Sequence, residues 1–117
     1  MTKPSPVKFG TDGWRALIAE DFTFENVRAC AQAIAAHFSE TSGTTRPLVV
    51  GYDTRFLSDQ FATEVARVLA GNGFAVEMAD RAAPTPAISW RIVDQGAAGG
   101  VVVTSSHNPF NWNGIKV

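Results

Sequence analysis

A serine and a histidine stand side by side near the end of the chain, in the stretch VVVTSSHNPFNWNGIKV at 101–117. Ser106 and His107 suggest at first sight a nucleophile and its general base. Adjacent residues of an extended backbone point to opposite sides, however, so the imidazole would turn away from the hydroxyl that it should deprotonate. The sequence also lacks the G-x-S-x-G motif of one large class of serine hydrolases. We therefore do not expect these two residues to form a local catalytic dyad.

Patterns typical of metal and nucleotide binding are absent from the sequence. The two histidines, His37 and His107, stand far apart, no D-x-D pair occurs, and Cys30 is the only cysteine. We expect His37 to be a structural residue at the edge of a helix. There is no P-loop and no G-x-G-x-x-G, and the glycines of GAAGG at 96–100 precede a predicted strand, whereas nucleotide binding would need them after one.

Three basic residues have side chains suited to binding phosphate. Arg15 and Arg55 each offer a planar fork of hydrogen-bond donors, and Lys116 adds a mobile charge near the serine loop. For any one of them taken alone, a solvated surface charge is the favoured interpretation. The segment TSSHNP at 104–109 could equally be a plain turn, because Ser, Asn and Pro favour turns for backbone reasons alone. The placement of the three cations at turns and strand ends favours phosphate as the ligand.

The composition is that of an ordinary globular domain. With 117 residues, 45% apolar residues and a net charge of -1, the chain has enough apolar surface for one core and too little positive charge for bulk nucleic-acid binding. No apolar run approaches the roughly 18 residues that a membrane helix needs, and MTKPSPVKFG has no signal-peptide core. We expect a cytoplasmic protein that binds neither nucleic acid nor membrane.

Apolar residues at helical spacing predict three helices. The first runs from the N-cap Thr23 to about Ser39, and the second begins at Ser58 and ends near the glycines of 71–73. A third is expected over 85–95, with the Thr85 hydroxyl as its cap and Pro86 as its first helical residue.

Short apolar runs predict strands between these helices. The runs are two small extended pieces within 7–20, then 48–53, 75–79 and 99–104, and the beginning of another strand at 115–117. The alternation predicts one layered α/β domain with a largely parallel central sheet. Because the reactive sites of such sheets lie at the carboxyl ends of strands, residues 53–55 and 104–108 are expected to face the same crevice.

Three motifs resemble the first domain of the α-D-phosphohexomutases, the phosphoglucomutase and phosphomannomutase superfamily. They are FGTDGWRA at 9–16, GYDTR at 51–55 and TSSHNPFNWNGIKV at 104–117, in the family's order. The resemblance covers 1–117 and implies a three-layer α/β/α domain with a mixed, mostly parallel, four-stranded core sheet. Family members have four domains with the active site in the cleft between them. We therefore expect the end of the chain, inside its last predicted strand, to mark a fragment of a four-domain enzyme.

The resemblance also implies a role for each matching residue. Ser106 would carry the phosphoryl group and contact Mg²⁺ through it, with the other metal ligands in the absent domains. His107 would help to place the phosphate and substrate, and Lys116 would transfer a proton or stabilise charge. The residues implied to bind phosphate or substrate are Arg15, Arg55, Thr104, Ser105 and Asn108.

The reaction that the resemblance implies is an isomerisation by intramolecular phosphotransfer between C1 and C6 of a hexose phosphate. It passes through a phosphoserine and a hexose 1,6-bisphosphate intermediate, with Mg²⁺ as cofactor. Glucose phosphates are the expected substrates, with phosphomannomutase or phosphoglucosamine mutase activity as alternatives, and a stand-alone phosphosugar-binding module as the alternative from another class. We expect this chain alone to be inactive and, through its shortened last strand, to self-associate.

Overall fold

Three helices alternate with five strands in the computed structural model, which describes residues 13–105, 108 and 110–117. The strands are β1 (Trp14–Leu17), β2 (Leu48–Tyr52), β3 (Val76–Met78), β4 (Gly99–Val103) and β5 (Trp112–Lys116). The helices are α1 (Phe24–Ser42), α2 (Ser58–Gly71) and α3 (Thr85–Asp94). Of the two extended pieces expected in the first part of the chain, the second corresponds to β1, and the first lies outside the described residues.

The predicted N-cap of α1 is confirmed, because the Thr23 hydroxyl accepts a hydrogen bond from the Asn26 amide at 3.2 Å. The helix ends at Ser42, a few residues beyond the expected end near Ser39, and is followed by Gly43 with a φ of 69°. The apolar residues at helical spacing face the core, as the pattern predicts. They are Val27, Cys30, Ala31, Ile34, Ala35 and Phe38.

The start of α2 at Ser58 is confirmed, but the predicted cap of α3 is wrong. Thr85 is already helical, and Pro84 is the N-cap, without a side-chain capping bond. The reason is that Pro84 is held in extended backbone while its carbonyl accepts from the Ile88 amide at 3.3 Å, so the first turn begins one residue earlier. Pro86 remains in the first turn, where an amide has no helical acceptor to lose.

The sheet has the strand order β1-β5-β4-β2-β3 and is mixed. β2 pairs in parallel with β3 and β4, whereas β5 runs antiparallel to β4 and to β1. The expected number of four strands is therefore wrong. The fifth strand forms because the chain returns after β4 and inserts β5 between β4 and β1, so that both of its edges are hydrogen-bonded.

Two apolar layers enclose the sheet. The larger core, on the side of α1 and α2, includes the fully buried Phe22, Phe61 and Leu69. On the other side, Ile88 of α3 packs with Val49 and Val102 of the parallel strands. The α/β/α layering is thus confirmed. Among the described residues, no helix combines the length and hydropathy needed to cross a lipid bilayer.

Candidate functional site

Polar residues meet where the parallel strands β2 and β4 end. Asp53 directly follows β2 and donates its amide hydrogen to the carbonyl oxygen of Val103, the last residue of β4, at 3.2 Å. An open cavity of about 510 Å³ lies at this edge. Its lining residues are Asp53, Thr54, Arg55, Phe56, Asn108 and Phe110. The expected crevice shared by residues 53–55 and by the segment after β4 is therefore confirmed.

The carboxylate of Asp53 ties the two strand ends together. Its Oδ1 accepts hydrogen bonds from the Arg55 amide and the Ser58 hydroxyl, both at 2.9 Å. Its Oδ2 accepts a hydrogen bond from the Thr104 hydroxyl at 2.7 Å and lies 3.4 Å from Nε of Arg55. One side chain thus fixes the positions of a hydroxyl from the end of β4 and a guanidinium from the loop after β2.

Arg55 uses its planar fork of donors on the backbone that follows β4. Nη2 donates to the Asn108 carbonyl oxygen at 2.8 Å, and Nη1 donates to the Trp112 carbonyl oxygen at 3.0 Å. Only 12% of the side chain is exposed. The guanidinium therefore brings a positive charge to the segment between β4 and β5 and holds the two sides of that segment together.

Arg15, from β1, reaches the same segment from the other edge of β5. Its Nη1 donates to the side-chain oxygen Oδ1 of Asn108 at 2.8 Å, and the same oxygen accepts from the Ser105 hydroxyl at 3.1 Å. The Asn108 amide in turn donates to the Ser105 carbonyl oxygen at 3.1 Å. Ser105 is fully buried, so its described contacts brace the turn. The structure therefore brings together five predicted residues: Arg15, Arg55, Thr104, Ser105 and Asn108.

Lys116 lies farther from this cluster. It pairs with Val102 in the antiparallel register of β5 and β4, so its backbone lies two residues beyond Gly114 along β5. Because Arg15 lies opposite Gly114, and alternate strand residues share a face, Arg15 and Lys116 project from the same face of the sheet. Within the described part of the chain, no hydrogen bond joins Lys116 to the loop residues. The two remaining predicted residues, Ser106 and His107, lie outside the described residues.

The described residues by themselves do not form a metal cage. They contain no group of three or more histidine, cysteine, aspartate or glutamate side chains that could hold an ion. Asp53, the acidic residue of the cluster, already accepts from an amide and two hydroxyls. The single metal ligand within this chain that the resemblance implies, a phosphoryl oxygen on Ser106, falls on a residue outside the described part.

Cys30 and His37 take no part in the cluster. Burial raises the pKa of the Cys30 thiol to about 12, which keeps it protonated and unreactive at neutral pH. His37 is exposed on α1, with its ring 5.6 Å from that of Phe38. Its structural role stays a prediction.

The cluster includes three residues for which the sequence predicted no catalytic or binding role. They are Asp53, which was expected only to face the crevice, Ser58 and Asn113. Asn113 is fully buried in β5, and its Nδ2 donates to the Ser58 hydroxyl at 2.8 Å. For Asp53 the sequence carries a signal, which is a carboxylate at the end of an apolar strand. For Ser58 and Asn113 it carries none, because their contact is made only in the fold.

Comparison with known proteins finds one family over nearly the whole chain. Residues 6–117 match the model of the phosphoglucomutase/phosphomannomutase α/β/α domain I. A crystal structure of a protein from Thermus thermophilus, described as a phosphomannomutase, superposes with a TM-score of 0.90 at 42% identity. That alignment covers 95% of this chain and 25% of the other.

Two curated relatives are similar over the same region. A phosphoglucomutase from Staphylococcus saprophyticus is 35% identical over 117 residues, which cover 95% of this chain and 20% of the relative. A phosphoglucosamine/phosphogalactosamine mutase from Sulfurisphaera tokodaii is 40% identical over 110 residues, covering 93% of this chain and 23% of the relative. The chain thus spans between a fifth and a quarter of the length of these proteins.

Proposed function

The chain belongs to the phosphoglucomutase/phosphomannomutase family as its α/β/α domain I, and on that basis we propose that it supplies the phosphoryl-carrying loop of a multi-domain hexose-phosphate mutase. The observation that carries this proposal is the double clamp on Asn108. The Asn108 carbonyl oxygen accepts from Arg55 and its side-chain oxygen accepts from Arg15, two positions after Ser106 in the sequence.

Two guanidinium groups that bind Asn108, two positions after a serine in the sequence, suit phosphoryl transfer better than hydrolysis of an ester or amide. The transferred phosphoryl group carries its charge on the equatorial oxygens, so catalysis depends on in-line positioning and on fixed positive charge. A strong base next to the serine is not required. This supports Ser106 as the phosphoryl carrier and His107 as a residue that positions the phosphate or the sugar.

In the proposed reaction, phosphorylated Ser106 gives its phosphoryl group to the free hydroxyl of a hexose monophosphate. The bond between phosphorus and the serine oxygen breaks as a bond to the sugar oxygen forms, and the hydroxyl proton ends on the serine oxygen, with Lys116 as the proposed carrier. The hexose 1,6-bisphosphate then reorients and returns its other phosphoryl group to Ser106. The net change moves phosphate between C1 and C6.

The proposal assigns separate tasks to the other loop residues. Thr104 and Ser105 already hydrogen-bond to Asp53 and Asn108, which supports a role in shaping the loop. Direct contact of Thr104, Ser105 or Asn108 with phosphate stays a prediction.

We also propose Mg²⁺ as cofactor, cytoplasmic localisation, and completion of the active site by further domains. The metal would supply positive charge to the phosphoryl group, and its ligands other than the Ser106 phosphoryl oxygen would come from those domains. The sugar is left open within the hexose phosphates, because the similar proteins include a phosphoglucomutase and a phosphoglucosamine/phosphogalactosamine mutase.

The test uses the multi-domain polypeptide that carries this chain. Incubation with glucose 1,6-bisphosphate labelled with ³²P should label Ser106, and glucose 1-phosphate should be converted to glucose 6-phosphate. Ser106→Ala should remove the label and reduce turnover at least about 100-fold, the order expected when a covalent carrier is lost. Ser39→Ala, an exposed serine on α1, is the matched control and should change neither. Retention of more than a few per cent of turnover by Ser106→Ala would refute the carrier role.

A further inference from the structure

We propose that Ser58 and Asn113 are positioning residues that act through Asp53 to hold Arg55 and Thr104 in their catalytic arrangement. The inference rests on the proposed mutase function, because the groups that it positions belong to the proposed phosphoryl-carrying loop. Neither Ser58 nor Asn113 reaches the open cavity, so neither is a catalytic residue itself.

Hydrogen-bond donors and acceptors fix the direction of every link in this chain of contacts. The Gly114 amide donates to Oδ1 of Asn113 at 2.9 Å, so the nitrogen of that side chain must be the atom that faces Ser58. The Ser58 hydroxyl accepts from this nitrogen at 2.8 Å and therefore directs its only hydrogen to Asp53 at 2.9 Å. The Thr104 hydroxyl likewise directs its hydrogen to the other oxygen of Asp53.

The complete burial of two polar side chains indicates a role beyond packing. Ser58 and Asn113 are both 0% exposed, at a place where an apolar pair could pack without the cost of removing polar groups from water. Among the described residues, every buried side-chain nitrogen and oxygen has a hydrogen-bond partner. A buried network that is completely satisfied rigidifies the elements it joins, which here are α2, β5 and the ends of β2 and β4.

The effect is expected to reach the loop through the carboxylate. With both oxygens of Asp53 occupied, its plane is fixed, and the Nε of Arg55 lies 3.4 Å from Oδ2. The same guanidinium holds the carbonyl oxygens of Asn108 and Trp112. Loss of the Ser58 hydroxyl removes one of the two hydrogen bonds that Oδ1 accepts and leaves the Arg55 amide as its described donor. The carboxylate can then tilt, and the Arg55 guanidinium beside the loop shifts with it. Displacements of about 1 Å at a reacting group reduce rates by about 100-fold.

The first experiment is a double-mutant cycle on the multi-domain polypeptide. Ser58→Ala and Asn113→Ala should each lower kcat for glucose 1-phosphate by about 10- to 100-fold while KM changes less than about threefold, because the displaced groups serve the transfer step. The double variant should be no slower than the slower single variant, since both act through one carboxylate. Single-variant kcat values within about twofold of the wild type, or effects that multiply independently, would overturn the inference.

A matched control and a rescue separate positioning from general stability. Thr63→Val removes another hydroxyl from the same helix, one that donates to the Asp59 carbonyl oxygen, and should leave kcat unchanged. Ser58→Thr restores the hydroxyl and should recover most of the kcat that Ser58→Ala loses. If Ser58→Ala lowers only the melting temperature and leaves the kcat of the folded enzyme unchanged, the role is structural and the inference is wrong.

Hydrogen exchange makes the two proposals separable. In the same polypeptide, amides in peptides spanning 104–114 should exchange at least about tenfold faster in Ser58→Ala than in Thr63→Val, because the restraint on the loop is lost. A wild type without mutase activity and without label on Ser106 refutes the proposed function. In that event, faster exchange in Ser58→Ala still supports positioning of the loop, and unchanged exchange overturns it.

Discussion

Replacement of Gly114 by alanine tests how closely β5 is enclosed by its neighbours. A Cβ at this position would lie 2.5 Å from the Trp14 carbonyl oxygen, 2.8 Å from the Thr104 carbonyl oxygen and 2.9 Å from Cγ of Arg15. The two oxygens belong to the backbone on either side of β5, so they cannot turn aside as the end of a flexible side chain can. The sheet itself must open by about 0.5 Å or more to admit the methyl group.

The expected cost follows from this overlap. Forcing an extra methylene into a packed site costs about 1–3 kcal/mol, and backbone contacts on two sides favour the upper end of that range. For a domain of this size, 1 kcal/mol corresponds to about 4 °C in melting temperature, so Gly114→Ala should melt about 4–12 °C below the wild type. Displacement of Arg15 should also weaken its bond to Asn108, so turnover by the multi-domain polypeptide should fall.

Urea and thermal unfolding of the 117-residue chain, followed by circular dichroism, provide the measurement. Gly71→Ala is the matched control, because a Cβ built at that helical position has no atom within 4 Å apart from its chain neighbours and the backbone of its own helix. It should leave stability unchanged or raise it by up to about 1 kcal/mol through helix propensity. An unfolding free energy of Gly114→Ala within about 0.5 kcal/mol of the wild type would refute the packing argument.

Two further predictions concern the core. Phe22→Ala should lower the unfolding free energy by about 3–5 kcal/mol in urea titrations, because the ring is fully buried. The ring centroid of Phe22 lies 4.8 Å from that of Trp14 and 4.7 Å from that of Phe61. A loss below about 1 kcal/mol would contradict this expectation. Burial raises the pKa of Cys30 from 9.0 to about 12, so the stability contributed by its neutral thiol is complete below pH 9 and lost as pH rises toward 12. The wild type should therefore lose stability over that range more steeply than Cys30→Ala, and parallel curves would show that the thiol does not titrate as described.

The sequence was sufficient to predict the elements that have a strong pattern of their own. The apolar spacing after Thr23 fixed α1, and the valine-rich runs of β2 and β4 identified the adjacent strands whose ends form the crevice. β5 was predicted only at its end, because Asn113 and Gly114 favour turns when read locally. Their strand conformation comes from pairing with β1 and β4, which is a tertiary effect that no local window contains.

Site residues that belong to a sequence motif could be predicted, whereas those that join the site only through contacts distant in sequence could not. Thr104, Asn108, Arg15 and Arg55 were selected from motifs, and the structure brings them together. The bond between Ser58 and Asn113 joins residues 55 positions apart, so neither residue carries a local sign of the other. The partners of Arg55 also depend on the fold. They are the carbonyl oxygens of Asn108 and Trp112, which come close together only because the chain reverses direction between β4 and β5.

Because β5 runs antiparallel to β4, one arginine, Arg55, can bind the backbone on both sides of the loop between them. If β5 were parallel to β4, a crossover connection, usually a helix, would have to return the chain to the opposite end of the sheet. The backbone after the loop would then leave the carboxyl end of β4. Here β5 starts at the edge where β4 ends, so the carbonyl oxygens of Asn108 and Trp112 both remain within 3.0 Å of the Arg55 guanidinium. The same return places Gly114 opposite Arg15, where the missing side chain lets the second guanidinium approach Asn108. The topology of one strand thus brings both cations to the loop, and a residue that altered the direction or packing of β5 would disturb both at once.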